Sequence, residues 1–395
     1  MIERIIEWSA NNRFFVILFY IVVIGAGIYS VVNLPVDAIP DLSENQVIIY
    51  TEWMGRSPEI IENQVTYPIV SGLQGLPQVK AVRASSMFGM SFVFVIFDDN
   101  VDTYFARTRV LERMNTIQAQ LPSGVVPSLG PDGTGVGHVF WYTLESKNQD
   151  LGTLRSIQDW YIRYKLSSVD GVAEVASIGG YVKQYQVDVN PTDLRGYNLT
   201  VGDVVNAVQR SNNEVGGKIL EINDAEYFVR GQGYIETIAD VENTVIKSGQ
   251  NGLPILIKDV AKVQLGGDIR RGSLELNGEG QVVGGIVVMR TGENAQKVIE
   301  RVKEKITEIT PGLPDGVKIV SSYDRSTLIH EAVGTLERAL IEASITVAIM
   351  VMIFLLHFRS IIRILIELPI SILIAFILMY IFNISSNIMS LGGII

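Results

Sequence analysis

The sequence predicts a membrane protein with helical spans and a large α+β region, which is built from β-α-β-β-α units with a β-rich insertion. Three observations lead to this fold class. Apolar runs cover residues 14–32, 339–356 and 361–382. Strand and helix patterns alternate through much of the roughly 300 residues between the first two runs. Short glycine-rich strand patterns replace that alternation at residues 216–285.

The first apolar run is long enough to cross a bilayer. Its 19 residues reach about 28 Å at a rise of ~1.5 Å per residue, close to the ~30 Å hydrocarbon layer. It continues into Asn33-Leu34-Pro35 without the small-residue site of a cleaved signal peptide, so we expect it to be retained. Arg4 and Arg13 precede this run and no further Lys or Arg follows until Arg56, which places the N-terminus in the cytoplasm and the large region outside.

The other runs follow the same logic. The link of about four residues between the second and third runs contains His357 and Arg359, with Arg363 close by, which is typical of a cytoplasmic loop. A last apolar stretch, residues 388–395, is too short to cross a bilayer. We therefore expect the sequence to be a truncated piece of a longer membrane protein.

The outer region begins with strand and helix patterns in the order of the split β-α-β, ferredoxin-like type. Ser57 and Pro58 open the first helix as a cap and a first-turn proline. A similar order recurs from residue 138, and the helix ends at residues 121–125 (LPSGV) and 313–317 (LPDGV) resemble each other, which indicates duplication. The first unit is predicted as strand 46–51, helix 57–69, strands 79–84 and 91–97, and helix 103–120; the second as strand 138–144, helix 151–166, strands 172–178 and 184–189, and helix 200–210.

Composition excludes several kinds of function. There are 32 Lys and Arg against 42 Asp and Glu, a net charge of −10, so no basic stripe for nucleic acid is present. The absence of cysteine excludes disulfides, thiolate zinc sites and cysteine nucleophiles. Methionine, histidine and carboxylates remain as side-chain metal ligands.

Two stretches resemble enzyme motifs without completing them. Residues 130–137 (GPDGTGVG) lack the lysine of a nucleotide P-loop, so we predict a flexible link between subdomains. His330-Glu331 begins like a zinc-protease motif, but Gly334 stands where the second histidine is required. No nucleophile elbow of the G-x-S-x-G type is present. Hydrolytic chemistry is therefore not indicated.

Methionines are the candidate metal ligands. Met87 and Met90 lie close together in a predicted hairpin, and thioethers suit soft ions such as Cu(I) or Ag(I). Methionine also fills gaps in ordinary cores, so both interpretations remain. The same two interpretations apply to Met389, which starts the last apolar stretch, and to the other methionines of the apolar runs: Met350, Met352 and Met379.

Ionisable residues inside membrane spans are functional candidates because a charge at mid-bilayer costs ~3 kcal/mol or more. Glu342 lies near the outer edge of the second run. Arg363 and Glu367 are four residues apart at the inner end of the third. They are interpreted either as an i,i+4 pair whose arginine reaches the interface or, for Glu367, as a group that takes part in proton movement.

Several stretches resemble the permease subunit of resistance-nodulation-division (RND) exporters, in particular its heavy-metal (CusA/CzcA-like) branch. They run from one end of the sequence to the other. They are residues 34–41 (LPVDAIPD), 62–68 (ENQVTYP), 129–137 (LGPDGTGVG), 171–180 (GVAEVASIGG), 323–326 (YDRS) and 387–393 (NIMSLGG).

The resemblance implies a proton/cation antiporter, not an enzyme, in the inner membrane of a Gram-negative bacterium. It implies a homotrimer with a large periplasmic domain, in contact with membrane lipid, a periplasmic adaptor (membrane fusion) protein and an outer-membrane channel. The only bound species are the transported metal cation and protons, with no cofactor. The family's proton-carrying acids belong to a fourth span that begins near Asn387, so they are expected beyond Ile395.

The same resemblance implies a domain order. It consists of the cytoplasmic N-terminus and first span (1–36), porter subdomain 1 (37–135), porter subdomain 2 in two parts (136–181 and 271–330), a docking subdomain between those parts (182–270), the second and third spans (331–358 and 359–384), and the start of a fourth span (385–395).

The transported ion and the substrate path are also inferred from the resemblance. The forms ENQVTYP and PDGTGVG favour copper and silver over zinc, cobalt and cadmium, whereas Ile269 stands where copper/silver members can carry methionine, and Glu367 is unusual for a third span. Arg83 is a candidate for the substrate path, with a surface salt bridge as the alternative. An exporter of organic drugs, a membrane-anchored sensor and a membrane-anchored enzyme remain as alternatives.

Overall fold

The computed structural model describes residues 2–223, 225–231, 233–249, 252–270, 272–355, 358–382 and 384–394. The chain divides into two compact units. The larger unit contains the residues up to Lys147, Gln158–Ser177 and the residues from Gly284 onward. The smaller unit contains Asn148–Ile157 and Ile178–Val283.

The elements are as follows. The helices are α1 (Ile2–Asn11), α2 (Arg13–Asn33), α3 (Pro58–Ile61), α4 (Tyr67–Leu73), α5 (Thr103–Ile117), α6 (Leu151–Ile157), α7 (Arg163–Ser167), α8 (Pro191–Gly196), α9 (Val201–Ser211), α10 (Ile238–Glu242), α11 (Ala295–Ile309), α12 (Arg325–Leu355), α13 (Phe358–Ile381) and α14 (Ile388–Gly392). The strands are β1 (Gln46–Glu52), β2 (Val79–Met87), β3 (Met90–Phe97), β4 (Pro127–Leu129), β5 (His138–Glu145), β6 (Val172–Gly179), β7 (Lys183–Val189), β8 (Val215–Ile222), β9 (Ala225–Gly231), β10 (Val245–Ser248), β11 (Pro254–Leu256), β12 (Ala261–Gly267), β13 (Leu274–Glu275), β14 (Gln281–Met289) and β15 (Lys318–Asp324). Single π-helical turns, Glu62–Thr66 and Gln158–Ile162, connect α3 to α4 and α6 to α7.

The first sheet has the order β2-β3-β1-β4 and is antiparallel throughout. Strand β3 lies between the two strands that the first helix connects, which is the arrangement the term split β-α-β describes. The predicted start of that helix is confirmed, since the Ser57 hydroxyl accepts from the amide of Ile60. A core of valine, isoleucine and leucine side chains fills the space between this sheet and helices α3 to α5.

Strand β3 differs from its prediction. Its apolar sequence predicts a strand covered on both faces. The face that carries Val93 and Val95 is buried, whereas on the opposite face Phe92 and Phe94 are only partly buried and Ile96 alone is buried. Within this chain the sheet is therefore covered by helices on one side.

The second sheet corrects the predicted second unit. Its order is β13-β14-β5-β15, and β6 also pairs with β14. In the predicted unit, residues 184–189 form the last strand and residues 200–210 the last helix, because these patterns come next in the sequence. Strand β7 instead pairs with β12, so the grouping by proximity is wrong. Strand β14 and helix α11, about 100 residues later, stand in their place.

The smaller unit is rich in short strands, as its glycine-rich sequence predicts. It contains the antiparallel pairs β7 with β12, β8 with β9, and β10 with β11. Helices α8 to α10 contribute to a separate apolar core around Val204, Ile246 and Ile257. The short helix α10 was not predicted; its cap is Thr237, whose hydroxyl accepts from the amide of Asp240.

Within the described residues, α2 is the one helix both long and apolar enough to cross a membrane by itself. The apolar part of α13, Leu365–Ile381, is a shorter helix of that kind. Residues 339–355 of the second apolar run and 361–381 of the third are thus helical, while their crossing of the membrane stays a prediction. Leu356, the last residue of the second run, and His357 of the predicted cytoplasmic link lie outside the described residues.

Candidate functional site

A buried ion pair lies where α2 leads into the outer region. Arg325 Nη1 donates to the two carboxylate oxygens of Asp37 at 3.3 and 3.2 Å, and Nη2 donates to the carbonyl of His138 at 2.9 Å. The Arg325 side chain is 5% exposed and the Asp37 side chain 17%. Among the described residues, Arg325 Nε has no hydrogen-bond partner. The buried guanidinium therefore depends on Asp37 for charge compensation.

Asp324 lies beside this pair and precedes α12. One carboxylate oxygen accepts from the amide of Ser326 at 2.9 Å and from its hydroxyl at 2.7 Å, and the other contacts Lys303 Nζ. Burial raises the pKa of Asp324, but the hydrogen bonds from Lys303 and Ser326 outweigh it and keep the pKa below its ordinary value. Asp324 is therefore ionised at the start of a helix, where negative charge is favourable.

The loop before α14 is hydrogen-bonded to the segment that contains Asp37. The amide of Asp37 donates to the carbonyl of Ser386 and the amide of Ser386 to the carbonyl of Pro35, both at 2.9 Å. The side-chain oxygen of Asn387 then caps α14, accepting from the amides of the second and third helix residues at 3.0 Å. Three of the stretches that carry the RND resemblance thus meet at one junction, although they are far apart in sequence.

The stretch at residues 130–137 connects β4 to β5, as the prediction of a link requires, and it makes contacts on both sides; its flexibility stays a prediction. The hydroxyl of Thr134 donates to a carboxylate oxygen of Asp41 at 2.8 Å. The amide of Thr291 donates to the carbonyl of Asp132 at 3.0 Å. The segment therefore contacts both the chain that leaves α2 and the loop that follows β14.

Glycines in this stretch allow a close approach of the backbone to β14. A Cβ atom at Gly133 would lie 2.8 Å from Val288 Cγ1 and 2.9 Å from the Met289 carbonyl oxygen. A Cβ at Gly137 would also lie 2.9 Å from that oxygen, whereas one at Gly135 would meet no atom within 4 Å. Packing, not phosphate binding, accounts for two of these glycines.

A cavity of about 360 Å³ opens beside the junction. It combines apolar walls with acidic and basic side chains, as small-molecule sites do. Within the described part of the chain, no group of three or more His, Asp or Glu could hold a metal ion, so these acids form no carboxylate metal centre. The lining residues are Leu34, Pro35, Asp37, Ile39, Asp41, Thr134, Val136, Gly137, Met289, Arg290, Thr291, Gly292, Glu293, Tyr380 and Ser385.

The structure brings Met87 and Met90 together. They are direct partners across the β2–β3 hairpin, whose turn is Phe88-Gly89. A third methionine, Met54, lies near the turn, although no sequence pattern indicates it: its Sδ is 3.4 Å from the position of a Cβ built on Gly89. It follows β1, more than 30 residues before the hairpin, so only strand pairing reveals that it is near.

The other predicted site residues lie apart from the junction pair. Arg83 Nη1 is 3.2 Å from Glu44 Oε2, and both side chains are largely exposed, which is the surface salt bridge given as its alternative. Met389 is 73% exposed near the start of α14. Glu367 is exposed on α13, and the side chain of Arg363 lies outside the described residues, so their pairing stays a prediction.

Comparisons with known proteins agree along the whole chain. The profile of the AcrB/AcrD/AcrF family matches residues 5–395. The chain is 48% identical over 396 residues to the putative cation efflux system protein SilA of Salmonella typhimurium and to the cation efflux system protein CusA of Escherichia coli K12, covering 100% of the chain and 38% of each relative. It is 38% identical over 403 residues to the cobalt-zinc-cadmium resistance protein CzcA of Cupriavidus metallidurans, covering 100% of the chain and 38% of that relative.

Two crystal forms of a heavy metal efflux pump share the fold. Their TM-scores are 0.86 and 0.88 at 33% identity, over 97% and 98% of this chain and 39% of that pump. The fold and these matches place the chain in the class of RND permeases. The chain belongs to the AcrB/AcrD/AcrF family, has heavy-metal efflux permeases among its relatives, and spans 38% of the length of SilA and CusA.

Proposed function

We propose that this chain is the N-terminal part of the permease of a proton-driven, tripartite pump that exports heavy-metal cations. One observation supports ranking zinc, cobalt and cadmium below copper and silver: identity to CzcA, which is named for cobalt, zinc and cadmium, is 38%, against 48% to the cation efflux proteins SilA and CusA. It falls to 33% for the nickel and cobalt resistance protein CnrA of Cupriavidus metallidurans. The thioethers of Met87, which is 50% exposed, and of the partly buried Met90 favour soft monovalent ions in the same direction.

The proposed setting is the inner membrane of a Gram-negative bacterium, with α2 and the second and third apolar runs as spans. Residues 37–135 form the first porter subdomain, and residues 136–181 with 271–330 form the second. Support comes from the two separate sheets and from the return of the chain to the second sheet through β14. Residues 182–270 form the docking subdomain, consistent with the separate core of the smaller unit.

The proposed assembly is a homotrimer that works with a periplasmic adaptor and an outer-membrane channel. Metal cations leave in exchange for protons, whose carriers belong to a fourth span beyond Ile395, with Glu367 as a candidate within this chain. Arg83 and Met389 are proposed for the metal path.

The ion pair of Asp37 with Arg325 connects two apolar helices to the outer region, so motion of those helices reaches the porter subdomains.

Growth tests of a deletion strain that carries the full-length gene would test this function. We expect restored tolerance to copper and silver and little change with zinc and cobalt. The same gene with Arg325→Ala, checked for expression by immunoblot, serves as a control for a damaged pump. Restored tolerance to zinc and cobalt alone would reverse the ion preference, and unchanged tolerance to all four metals would favour export of organic drugs.

A further inference from the structure

Three methionines surround the turn of the β2–β3 hairpin. Met87 and Met90 are directly paired, which places their side chains on one face of the sheet with Cβ atoms ~5 Å apart. Gly89 lies between them in the chain, and Met54 Sδ is 3.4 Å from the position of a Cβ on that glycine. Thioethers from two distant parts of the sequence therefore converge on one turn.

The backbone holds this arrangement. The amide of Trp53 donates to the carbonyl of Gly89, and the amide of Gly89 donates to the carbonyl of Arg56, both at 2.9 Å. Gly89 has a φ of 71°, a conformation that favours glycine. Because the segment around Met54 and the hairpin turn are bonded to each other, the thioethers lie on a preorganised frame.

Ordinary core packing does not account for Met54 and Met87, while Met90 is partly buried. The outer region has two others, Met114 and Met289, which are 6% and 8% exposed and fill the core. Met54 and Met87 are 53% and 50% exposed. An apolar side chain that is half exposed contributes little to a core, so its presence beside two similar side chains calls for another explanation.

The chemistry of the cluster selects its ligand. Thioether sulfur is a soft, uncharged ligand that suits Cu(I) and Ag(I) and binds hard divalent cations poorly. Thioether sulfur is not protonated near neutral pH, so protons do not compete with the metal as they do at imidazole or thiolate ligands. Within the described residues, histidines and carboxylates form no competing cluster for a metal.

We propose that Met54, Met87 and Met90 bind one Cu(I) or Ag(I) ion through their three sulfur atoms, on the outer region of the chain. The site rests on the proposed heavy-metal function and deepens it by naming a point where the ion is captured. It lies on a hairpin of the first sheet, and none of its residues lines the cavity at the junction.

Silver titration of the purified full chain in detergent tests the site. Methionine methyl groups carry ¹³C, the buffer is free of chloride, and silver nitrate is the probe. We expect the methyl signals of Met54, Met87 and Met90 to shift together as one equivalent binds, with Met114 and Met289 unchanged. The affinity should be the same at pH 5.5 and 7.5, and zinc should leave the three signals in place.

A triple leucine variant gives the matched comparison, because leucine conserves the volume of methionine. M54L/M87L/M90L should bind one silver ion fewer than the unmodified chain, with affinity at this position reduced at least 100-fold. M114L/M289L should bind as the unmodified chain does. Circular dichroism shows that both variants fold.

The proposal is overturned if the triple variant binds silver in the same number and with the same affinity as the unmodified chain. It is also overturned if the three methyl signals shift at different silver concentrations. The proposed function can fail separately. If the growth tests show no metal tolerance while silver binds at these methionines, the export function is overturned and the site remains. If tolerance is restored but the methyl signals do not shift, only the proposed site is overturned.

Discussion

Asp37 and Arg325 lie 288 residues apart in the sequence and form a buried ion pair. Asp37 follows α2, and Arg325 is the first residue of α12. The same guanidinium binds the carbonyl of His138 at the start of β5. One side chain therefore connects two long helices and a sheet, so a tilt of either helix has to move or break this contact.

Removal of the arginine should destabilise the chain strongly. Arg325→Met leaves the Asp37 carboxylate buried without its partner, which costs about 3–5 kcal/mol. Arg83→Met is the matched control, because its pair with Glu44 is largely exposed and should contribute less than about 1 kcal/mol. Chemical unfolding of the purified chain, followed by tryptophan fluorescence, measures both. Similar losses for the two variants would contradict the assigned role.

Removal of both charges separates pairing from packing. The double variant Asp37→Leu/Arg325→Met has no buried charge, so we expect it to recover a large part of the stability that Arg325→Met loses. The same unfolding experiment gives the coupling free energy between the two positions. A double variant as unstable as the sum of the single variants would mean that the two side chains do not interact.

The helix that begins at Leu151 should lose a stabilising cap in acid. Asp150 accepts from the amide and hydroxyl of Thr153 at 2.9 and 2.8 Å, and these hydrogen bonds lower the pKa of Asp150 from 3.8 to about 2 against a small effect of burial, with Lys183 contributing. Because the folded pKa is depressed, the stabilisation is present above pH ~4 and is lost as the pH falls through about 2.

Thermal unfolding at several pH values tests this cap. Asp150→Ala should cost about 0.5–2 kcal/mol at pH 7, a modest loss because the carboxylate is more than half exposed. The difference from the unmodified chain should shrink between pH 4 and pH 2. A difference that stays constant over this range would show that the ionised carboxylate is not what stabilises the helix.

Local sequence patterns predicted many of the helices and strands of this fold. The pairing of strands that are distant in sequence could not be predicted from such patterns. Ser57 was predicted as a cap, and its side chain bonds three residues ahead, so a short sequence window suffices. Asp102, which was not predicted as a cap, bonds in the same way. Strand β7 carries a normal strand pattern that is equally compatible with the second sheet and with β12. Its partner depends on a contact about 75 residues away, which the pattern does not contain.

The candidate sites follow the same rule. Met87 and Met90 could be placed together because two residues separate them and Gly89 permits a tight turn. Met54 and the pair of Asp37 with Arg325 come from separate parts of the chain, so no local signal joins them. The glycines of residues 130–137 were visible, but the strand that they pack against was not.

The close approach of residues 130–137 to β14 predicts a position-specific effect. Gly133→Ala should destabilise the chain by about 1–3 kcal/mol, because the new methyl group would stand 2.8 Å from Val288 Cγ1 and 2.9 Å from a backbone oxygen. Gly135→Ala, in the same motif, meets no atom within 4 Å and should leave stability nearly unchanged. Thermal unfolding of the two variants gives the comparison. Equal effects of the two substitutions would show that this stretch does not pack against β14 and would favour the flexible link that its sequence predicts.

A second pair of glycines tests the packing of the apolar helices α2 and α13. A Cβ at Gly27 would lie 2.6 Å from Leu373 Cβ, whereas one at Gly25 would meet no atom within 4 Å. Small residues let helices in a membrane approach closely. Both positions are interior to α2, so alanine brings the same gain of up to about 1 kcal/mol in helix propensity at each. In unfolding experiments in detergent, Gly25→Ala should be neutral or stabilising and Gly27→Ala should be less stable by about 1–3 kcal/mol. If both variants gain stability, α2 and α13 do not depend on this contact.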